Sequence, residues 1–340
     1  MRVLVAMSGG VDSSAAAALL IEKGYEVEGG IMKLWGTNVE DAQEVADKLS
    51  IPLHIFDFER EFEEEIVRYF IDTYLEGKTP NPCIVCNKRF KFGRFLDKAL
   101  EMGFDCIATG HYAKIKYDER SDTYSLCKSN NLKKDQSYFL YNLTEDKLRH
   151  ILFPVEDYDK EVIRQVAEEK GLVTARKKDS QDICFVQDGN YVDFIKERRD
   201  IVPGSFVDGT GKVIGRNDGI INYTIGQRNG LGMGFNKRMY VTGINPANNT
   251  VVLGDDADLF ADSLELEDVS FTNKKSYEQF KEGFFIYAKI RYAAYPVKCF
   301  VKRAGLRAYV KFEMPVRAIT KGQSVVFYDE DTVVGGGVIV

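Results

Sequence analysis

Two sets of residues in this chain are typed and spaced for chemistry. The first is the run Ser8-Gly9-Gly10-Val11-Asp12-Ser13-Ser14. Paired glycines let a backbone turn tightly and approach a phosphate. A helix that begins directly after the turn offers unpaired N–H groups and its positive end to an anion. Ser8, Ser13 and Ser14 add hydroxyl donors, and the Asp12 carboxylate suits a Mg2+ among phosphate oxygens. The run lacks the Lys-Ser/Thr of a Walker A loop and the three spaced glycines of a dinucleotide fingerprint.

The second set is sulfur. Cys83 and Cys86 form a CxxC in Thr79-Pro80-Asn81-Pro82-Cys83-Ile84-Val85-Cys86, and Cys184 follows far downstream in Lys178-Asp179-Ser180-Gln181-Asp182-Ile183-Cys184-Phe185. Two prolines stiffen the approach to the pair. Cys86 is expected at a helix entry, where the dipole and the neighbouring Lys88 and Arg89 favour thiolate. Three chemistries fit such thiols. Zinc would need a further ligand from His54, His111 or His150. A [4Fe–4S] cluster on Cys83, Cys86 and Cys184 would leave one iron open for sulfur. Sulfur relay would run through a persulfide and a transient disulfide. Cys106, Cys127 and Cys299 lie in strand-like surroundings and read as buried structural residues.

These residues must be held by a chain of 340 residues, enough for two or three domains. Hydrophobics at 44% and charges at 29% are ordinary globular usage. Six cysteines are too sparse for a disulfide scaffold, which points to a reducing compartment. With 46 Lys+Arg against 52 Asp+Glu the net charge is −6. That argues against nonspecific DNA coating but leaves room for a local basic RNA surface. No run approaches the ~20 apolar residues of a membrane span, and the apolar run 3–7 is too short for a secretory signal. A soluble, cytoplasmic protein with no membrane partner is expected.

Periodicity predicts strands at 2–7, 25–34, 53–58 and 106–109 and helices at 13–23, 39–49, 59–75 and 87–102. Strands alternating with long helices imply a parallel sheet covered on both faces. The first strand and helix thus flank the Gly-rich loop, and Gly29-Gly30-Ile31-Met32 on the second strand offers an adenine pocket. On the helix 87–102, Lys88, Lys91 and Lys98 share one face and Phe92, Leu96 and Leu100 the buried one. Helices at 137–143, 145–153, 159–170 and 191–199 follow. Short β-rich runs between turn signals then begin near 202. The expected fold is α/β: an N-terminal parallel-sheet domain with a helical extension (1–202), a central β-rich domain (203–270) and a C-terminal antiparallel β-barrel (271–340).

SGGVDS after an N-terminal strand resembles the pyrophosphate loop of the N-type ATP pyrophosphatases (PP-loop superfamily), which adenylate a substrate oxygen. SGGVDSS, TPNPCIVCNKRFKF, ATGHYA, KDQSYFL, KDSQDICF, TIGQRNGLG and GQSVVFYDEDTVVGGGVIV follow one another in this order. Together they resemble the bacterial tRNA-specific 2-thiouridylases of the MnmA type over essentially the whole chain. The resemblance implies ATP-dependent thiolation of the wobble uridine, U34, with ATP and Mg2+, tRNA as substrate, and a cysteine desulfurase or sulfur-relay protein as persulfide donor. It implies ATP binding by Ala6, Met7, Ser8, Gly9, Gly10, Val11, Asp12 and Ser13 with Met32 and Gly110. Cys86 is then the nucleophile and Cys184 the persulfide carrier. Asn81, Pro82 and Cys83 meet the target base, and His111, Lys134, Asp135, Gln136, Arg291, Tyr292 and Gln323 contact tRNA.

Two departures stand out. Many relatives have Asp where this chain has Cys83, and the linker Gly36-Thr37-Asn38-Val39 is shorter than the family's acidic insert. Arg228, Lys237 and Arg238 are candidate tRNA contacts of the central domain, and Tyr292 and Tyr295 are candidates to stack on unpaired bases. The competing readings are a PP-loop enzyme that adenylates a small molecule, which needs no CxxC, and a noncatalytic zinc or iron–sulfur RNA-binding module, which leaves SGGVDSS without a purpose.

Overall fold

The computed structural model describes residues 1–177, 183–186, 189–232, 234 and 237–340. The expected motif segment 178–182 lies outside them. In the first sheet, β1 (Arg2–Ala6), β2 (Glu26–Lys33), β3 (Leu53–Asp57) and β4 (Cys106–Ala108) run parallel in the order β3-β2-β1-β4. Helices α1 (Val11–Glu22) and α2 (Glu40–Leu49) fill the crossovers. Their Ala- and Val-rich faces join Val3, Val5 and Ile31 in one core. Gly24, at φ +80°, follows α1 in the left-handed geometry that ends a helix.

The region 59–75 is helical as expected, but not uniformly. It runs through α3 (Glu59–Phe62), a π-helical stretch (Glu63–Val67) and α4 (Arg68–Leu75). The helix expected to start at 87 starts five residues earlier. It comprises α5 (Pro82–Cys86), a π-helical stretch (Asn87–Arg94) and α6 (Phe95–Glu101). Asn81 caps it, its Oδ1 accepting from the Ile84 N–H at 3.4 Å, and Pro82 occupies the first turn, where no N–H is missed. Phe92 and Leu96 are buried as expected, whereas Leu100 is exposed.

The strands β5 (Ala113–Asp118) and β6 (Thr123–Lys128) form a hairpin that periodicity did not show. The expected helix 145–153 is cut short to α7 (Glu145–Leu148), because β7 (Ile151–Leu152) adds to the parallel sheet beside β4. The helix α8 (Lys160–Glu169) then packs on α1.

The second sheet holds β8 (Gly204–Val207), β9 (Val213–Asn217), β10 (Tyr240–Asn245) and β11 (Thr250–Gly254), with β11 and β8 parallel and the other pairs antiparallel. In the third, β12 (Phe260–Phe271), β13 (Phe284–Lys289), β14 (Val297–Ala304), β15 (Arg307–Arg317), β16 (Ser324–Asp329) and β17 (Thr332–Ile339) close a barrel, since β12 pairs with both β15 and β17. The pairing of β12 thus places 260–271 with the barrel, on the C-terminal side of the central sheet. Through the pair Thr332 and Cys127 the hairpin β5–β6 extends this sheet, which ties the barrel to the first domain. Cys106, Cys127 and Cys299 are buried in β4, β6 and β14.

Candidate active site

The chain leaves β1 into the Gly-rich turn, where Gly9 sits at φ +69°, a conformation that other side chains rarely adopt. Gly10 begins α1 without a side-chain cap, so the N–H groups of the first turn face the loop uncapped. The serines divide their work. Ser13 Oγ and Ser14 Oγ donate to the Gly10 carbonyl at 3.0 and 2.9 Å, and Ser13 Oγ accepts from Ser8 N–H at 3.2 Å. The buried Ser13 and Ser14 therefore shape the turn, and the exposed Ser8 is the hydroxyl at its surface. Gly110 presses against this loop. A Cβ there would lie 2.7 Å from the Asp12 carbonyl carbon and the Ser13 nitrogen, which only glycine avoids. Val11 and Met7 are buried, while Ala6 and Met32 are half-buried. A Cβ on Gly29 or Gly30 would meet Met7 Sδ at 2.5 Å or the Phe95 ring at 2.7 Å, so close packing requires both glycines.

The Asp12 carboxylate has partners the sequence did not disclose. Lys160 Nζ, at the buried first position of α8, lies 2.7 Å from both oxygens, and the Tyr112 hydroxyl donates to Oδ1 at 2.8 Å. Lys177 pairs with Asp41 beside Gly9 and reaches the Gly9 carbonyl at 3.4 Å. Two lysines from the helical segment that leads toward Cys184 thus hold the two ends of the loop. Nothing in the local pattern around Lys160 points to a partner so distant in sequence.

The thiols lie on α5 and on the segment 183–186. Cys86 is buried among Phe62, Phe90 and Phe185, and Phe185 and Val186 belong to the same apolar cluster. Cys83 and Cys184 are exposed. Burial pushes the Cys86 thiol up to about 12, with Lys91 opposing and the nearby Cys184 and Cys83 adding to the rise. Crowding by the surrounding protein raises Cys83 and Cys184 too, and Lys91 again opposes.

The expected activation by a helix dipole, Lys88 and Arg89 is corrected on each count. Cys86 ends α5 and runs on into helix, so no helix start lies beneath it. Lys88 is paired with Asp268 at 2.8 Å and Arg89 with Glu65 at 3.3 Å. Lys91, five residues on and one wide π-helical turn away, is the cation that acts on all three thiols. Among the described residues no group of three or more His, Cys, Asp or Glu side chains is disposed to hold a metal ion, these thiols included. The [4Fe–4S] expectation on Cys83, Cys86 and Cys184 therefore finds no support in their arrangement.

The turn before Cys83 is clamped from three directions. Thr79 N–H donates to the Lys321 carbonyl at 2.8 Å, Thr79 Oγ1 meets Thr224 Oγ1 of the central domain at 3.2 Å, and Gln323 Nε2 donates to the Thr79 and Pro80 carbonyls at 3.1 and 3.3 Å. Gln323 is thus a brace of the CxxC turn. Losing two hydrogen bonds of roughly 0.5–1.5 kcal/mol each, Gln323→Ala is expected to slow thiolation about tenfold while tRNA affinity moves less than about threefold. Single-turnover rates beside a binding titration check this; an affinity loss alone would mark a simple RNA contact.

The remaining expected tRNA residues are placed unevenly. Asp135 is buried, accepting from Ser129 N–H at 3.0 Å and from Ser137 N–H and Oγ at 3.2 and 2.8 Å, so its carboxylate faces inward. Gln136 Oε1 accepts from Tyr112 N–H at 3.0 Å, and Lys134 is half-buried beside them. His111 lies between the rings of Phe92 and Phe153, Nδ1 2.8 Å from Thr109 Oγ1. Burial, helped by Lys91, holds its pKa well below the ordinary value, so the ring is neutral at pH 7. Arg291 reaches the Ala318 and Arg317 carbonyls at 3.4 and 3.3 Å. The Tyr292 ring packs 4.8 Å from that of Phe139 and stays partly exposed, and Tyr295 is exposed.

Fold and site together define a modular α/β enzyme: a nucleotide loop and a thiol-bearing helix on one domain, braced by a mixed β-sheet and a closed barrel. Three family profiles match in succession, a tRNA methyl transferase HUP domain over residues 1–188, a tRNA methyl transferase PRC-barrel domain over 192–255 and an aminomethyltransferase beta-barrel domain over 261–339. The chain is 49% identical to a tRNA-specific 2-thiouridylase MnmA of Clostridioides difficile, over 99% of this chain and 98% of that one. Relatives of the same description from Acetivibrio thermocellus and Carboxydothermus hydrogenoformans are 48% and 46% identical, over 99% of this chain and 99% and 97% of theirs. The chain belongs to the tRNA-specific 2-thiouridylase family.

Proposed function

We infer that the protein is a tRNA-uridine 2-sulfurtransferase that uses ATP to thiolate the wobble uridine, U34. The observation that carries this reading is an uncapped helix start behind Gly9 and Gly10 together with a buried Cys86 that shares one apolar cluster with Phe185, the neighbour of Cys184, in a chain matched end to end by 2-thiouridylases. The C2 oxygen of uridine is a poor leaving group. Its attack on the α-phosphorus of ATP expels pyrophosphate and leaves an adenylate on that oxygen, and sulfur added at C2 then breaks the C2–O bond and releases AMP. The loop N–H groups and Ser8 hold phosphate oxygens, and Lys160 neutralises charge there. Asp12 offers the hard carboxylate that Mg2+ prefers, and the ion would supply charge for the leaving pyrophosphate.

Cys184 carries the persulfide received from a cysteine desulfurase or relay protein, and Cys86 is the attacking thiol. The wobble base must leave its stack to reach them, toward the Asn81–Cys83 turn. No step is assigned to an iron–sulfur cluster. The three sheets suggest domain limits near 202 and 259. Among the described residues no helix is long and apolar enough to cross a membrane, and we place the enzyme in the cytoplasm, whose reducing conditions suit unpaired thiols.

Purified protein given unmodified tRNA, ATP and a persulfide donor is expected to form one 2-thiouridine for each AMP and pyrophosphate released. ATP cleavage that ignores tRNA and responds to a small carbonyl substrate would overturn this reading in favour of a small-molecule ligase.

A further inference from the structure

Sulfur transfer to uridine is a two-electron reduction of the sulfane sulfur, and it fixes what the enzyme must do next. In one order, the Cys86 thiolate attacks Cys184 Sγ in the persulfide, forms a Cys86–Cys184 bond and expels hydrosulfide, which displaces AMP at C2. In the other, the terminal sulfur displaces AMP first, and Cys86 then cleaves the resulting Cys184–S–S–C2 link at Cys184 Sγ. Both orders end with Cys86 and Cys184 oxidised to a disulfide. Until that bond opens, Cys184 cannot be charged again.

A third thiol is built into the same place. Cys83 lies on α5 three residues before Cys86, a spacing that puts the two Cβ atoms about 5–6 Å apart. That is within a small adjustment of the roughly 3.5–4.5 Å of a disulfide. Cys83 lies in the opening turn of the helix, whose first N–H groups have no helical acceptor, so few bonds resist such a shift on its side. Their exposures differ in the useful sense: Cys86 is buried and Cys83 faces solvent. Cys184 adjoins the pair, since its neighbour Phe185 packs in the cluster that holds Cys86. The charges of the three thiols also act on one another.

We propose that Cys83 is the resolving thiol of the cycle. Its thiolate attacks Cys86 Sγ, the Cys83–Cys86 bond forms as the Cys86–Cys184 bond breaks, and Cys184 departs as thiolate and takes up a proton. A dithiol reductant then attacks the solvent-facing Cys83 sulfur and returns the two electrons that the sulfane sulfur consumed. This step rests on the sulfur-transfer reading above and adds a role for the solvent-facing thiol of the pair. It lets a buried attacking thiol be reduced through the surface while Cys184 is recharged.

The test uses the full-length enzyme, persulfide-loaded and freed of reductant, mixed with one equivalent of unmodified tRNA and ATP, then quenched with N-ethylmaleimide and mapped by mass spectrometry. The expected product holds Cys83 linked to Cys86 and Cys184 alkylated, with one disulfide per thiolated uridine. Cys83→Ser is expected to trap Cys86–Cys184 and to slow reloading of Cys184 at least tenfold until dithiothreitol is added. Wild-type enzyme that has made thiolated uridine yet holds Cys86–Cys184, or no disulfide, overturns the proposal. Wild-type enzyme that makes no thiolated uridine under these conditions overturns the sulfur-transfer reading beneath it.

Discussion

With Cys184→Ser, 2-thiouridine formation is expected to fall by at least about 10³-fold while tRNA affinity stays within about threefold, because the hydroxyl accepts no sulfane sulfur. The residue is exposed, so the change should leave stability within about 0.5 kcal/mol. Cys86→Ser is expected to abolish thiolation equally, but with a different signature. Its side chain is buried in the apolar cluster that also holds Phe62, Phe90 and Phe185, and a hydroxyl left unpaired there costs roughly 1–3 kcal/mol. Cys86→Ala, which avoids that penalty, should therefore be better folded and equally inactive. Thiolated uridine quantified after nuclease digestion, beside a filter-binding titration and a melting curve, separates these outcomes. Normal product from either variant removes the assigned roles.

The sign of the pH dependence follows from the same burial. Cys86 stays protonated well past neutrality because its thiol is pushed up to about 12. The attacking fraction then grows about tenfold per pH unit from 7 to 9, and single-turnover sulfur transfer should rise with it.

What the sequence disclosed about this site was local, and what it concealed was tertiary. A strand, Ser8-Gly9-Gly10 and a helix are contiguous, so loop and sheet could be read from pattern. The thiols were legible as residue types, but their electrostatics were not. The start of α5 at Pro82 was signalled by Asn81 and by Pro82 itself, and placing it at 87 put Cys86 at a helix entry that does not exist. The two-residue strand β7 is too short to show a period. The inward turn of Asp135 depends on Ser129 and Ser137 folding around it. In the same way, the brace from Gln323 to Thr79 and the pairing of Thr332 with Cys127 join segments that only the folded chain brings together.

Lys160 is the strongest case, and Lys160→Met is expected to lower tRNA-dependent AMP formation by about 10²–10³-fold. Its ammonium sits 2.7 Å from both Asp12 oxygens at the mouth of the phosphate loop, where it can pass from the carboxylate to incoming phosphate oxygens. A purely structural pair makes a different prediction. Breaking a fully buried pair costs roughly 3–5 kcal/mol, but the Asp12 side chain is 32% exposed and Lys160 11%, so the cost here should be well below that. Tyr112 also keeps its 2.8 Å bond to Asp12. Asp12→Ala should by itself stop AMP formation, because it removes the carboxylate proposed to hold Mg2+. The melting curve of Lys160→Met, read beside its AMP release, decides between the readings. If Lys160 acts on the nucleotide, AMP release falls by the full factor while the melting temperature moves by only about a few degrees. If the lost AMP release is matched by a loss of folded protein at the assay temperature, Lys160 is only a partner that keeps Asp12 in place.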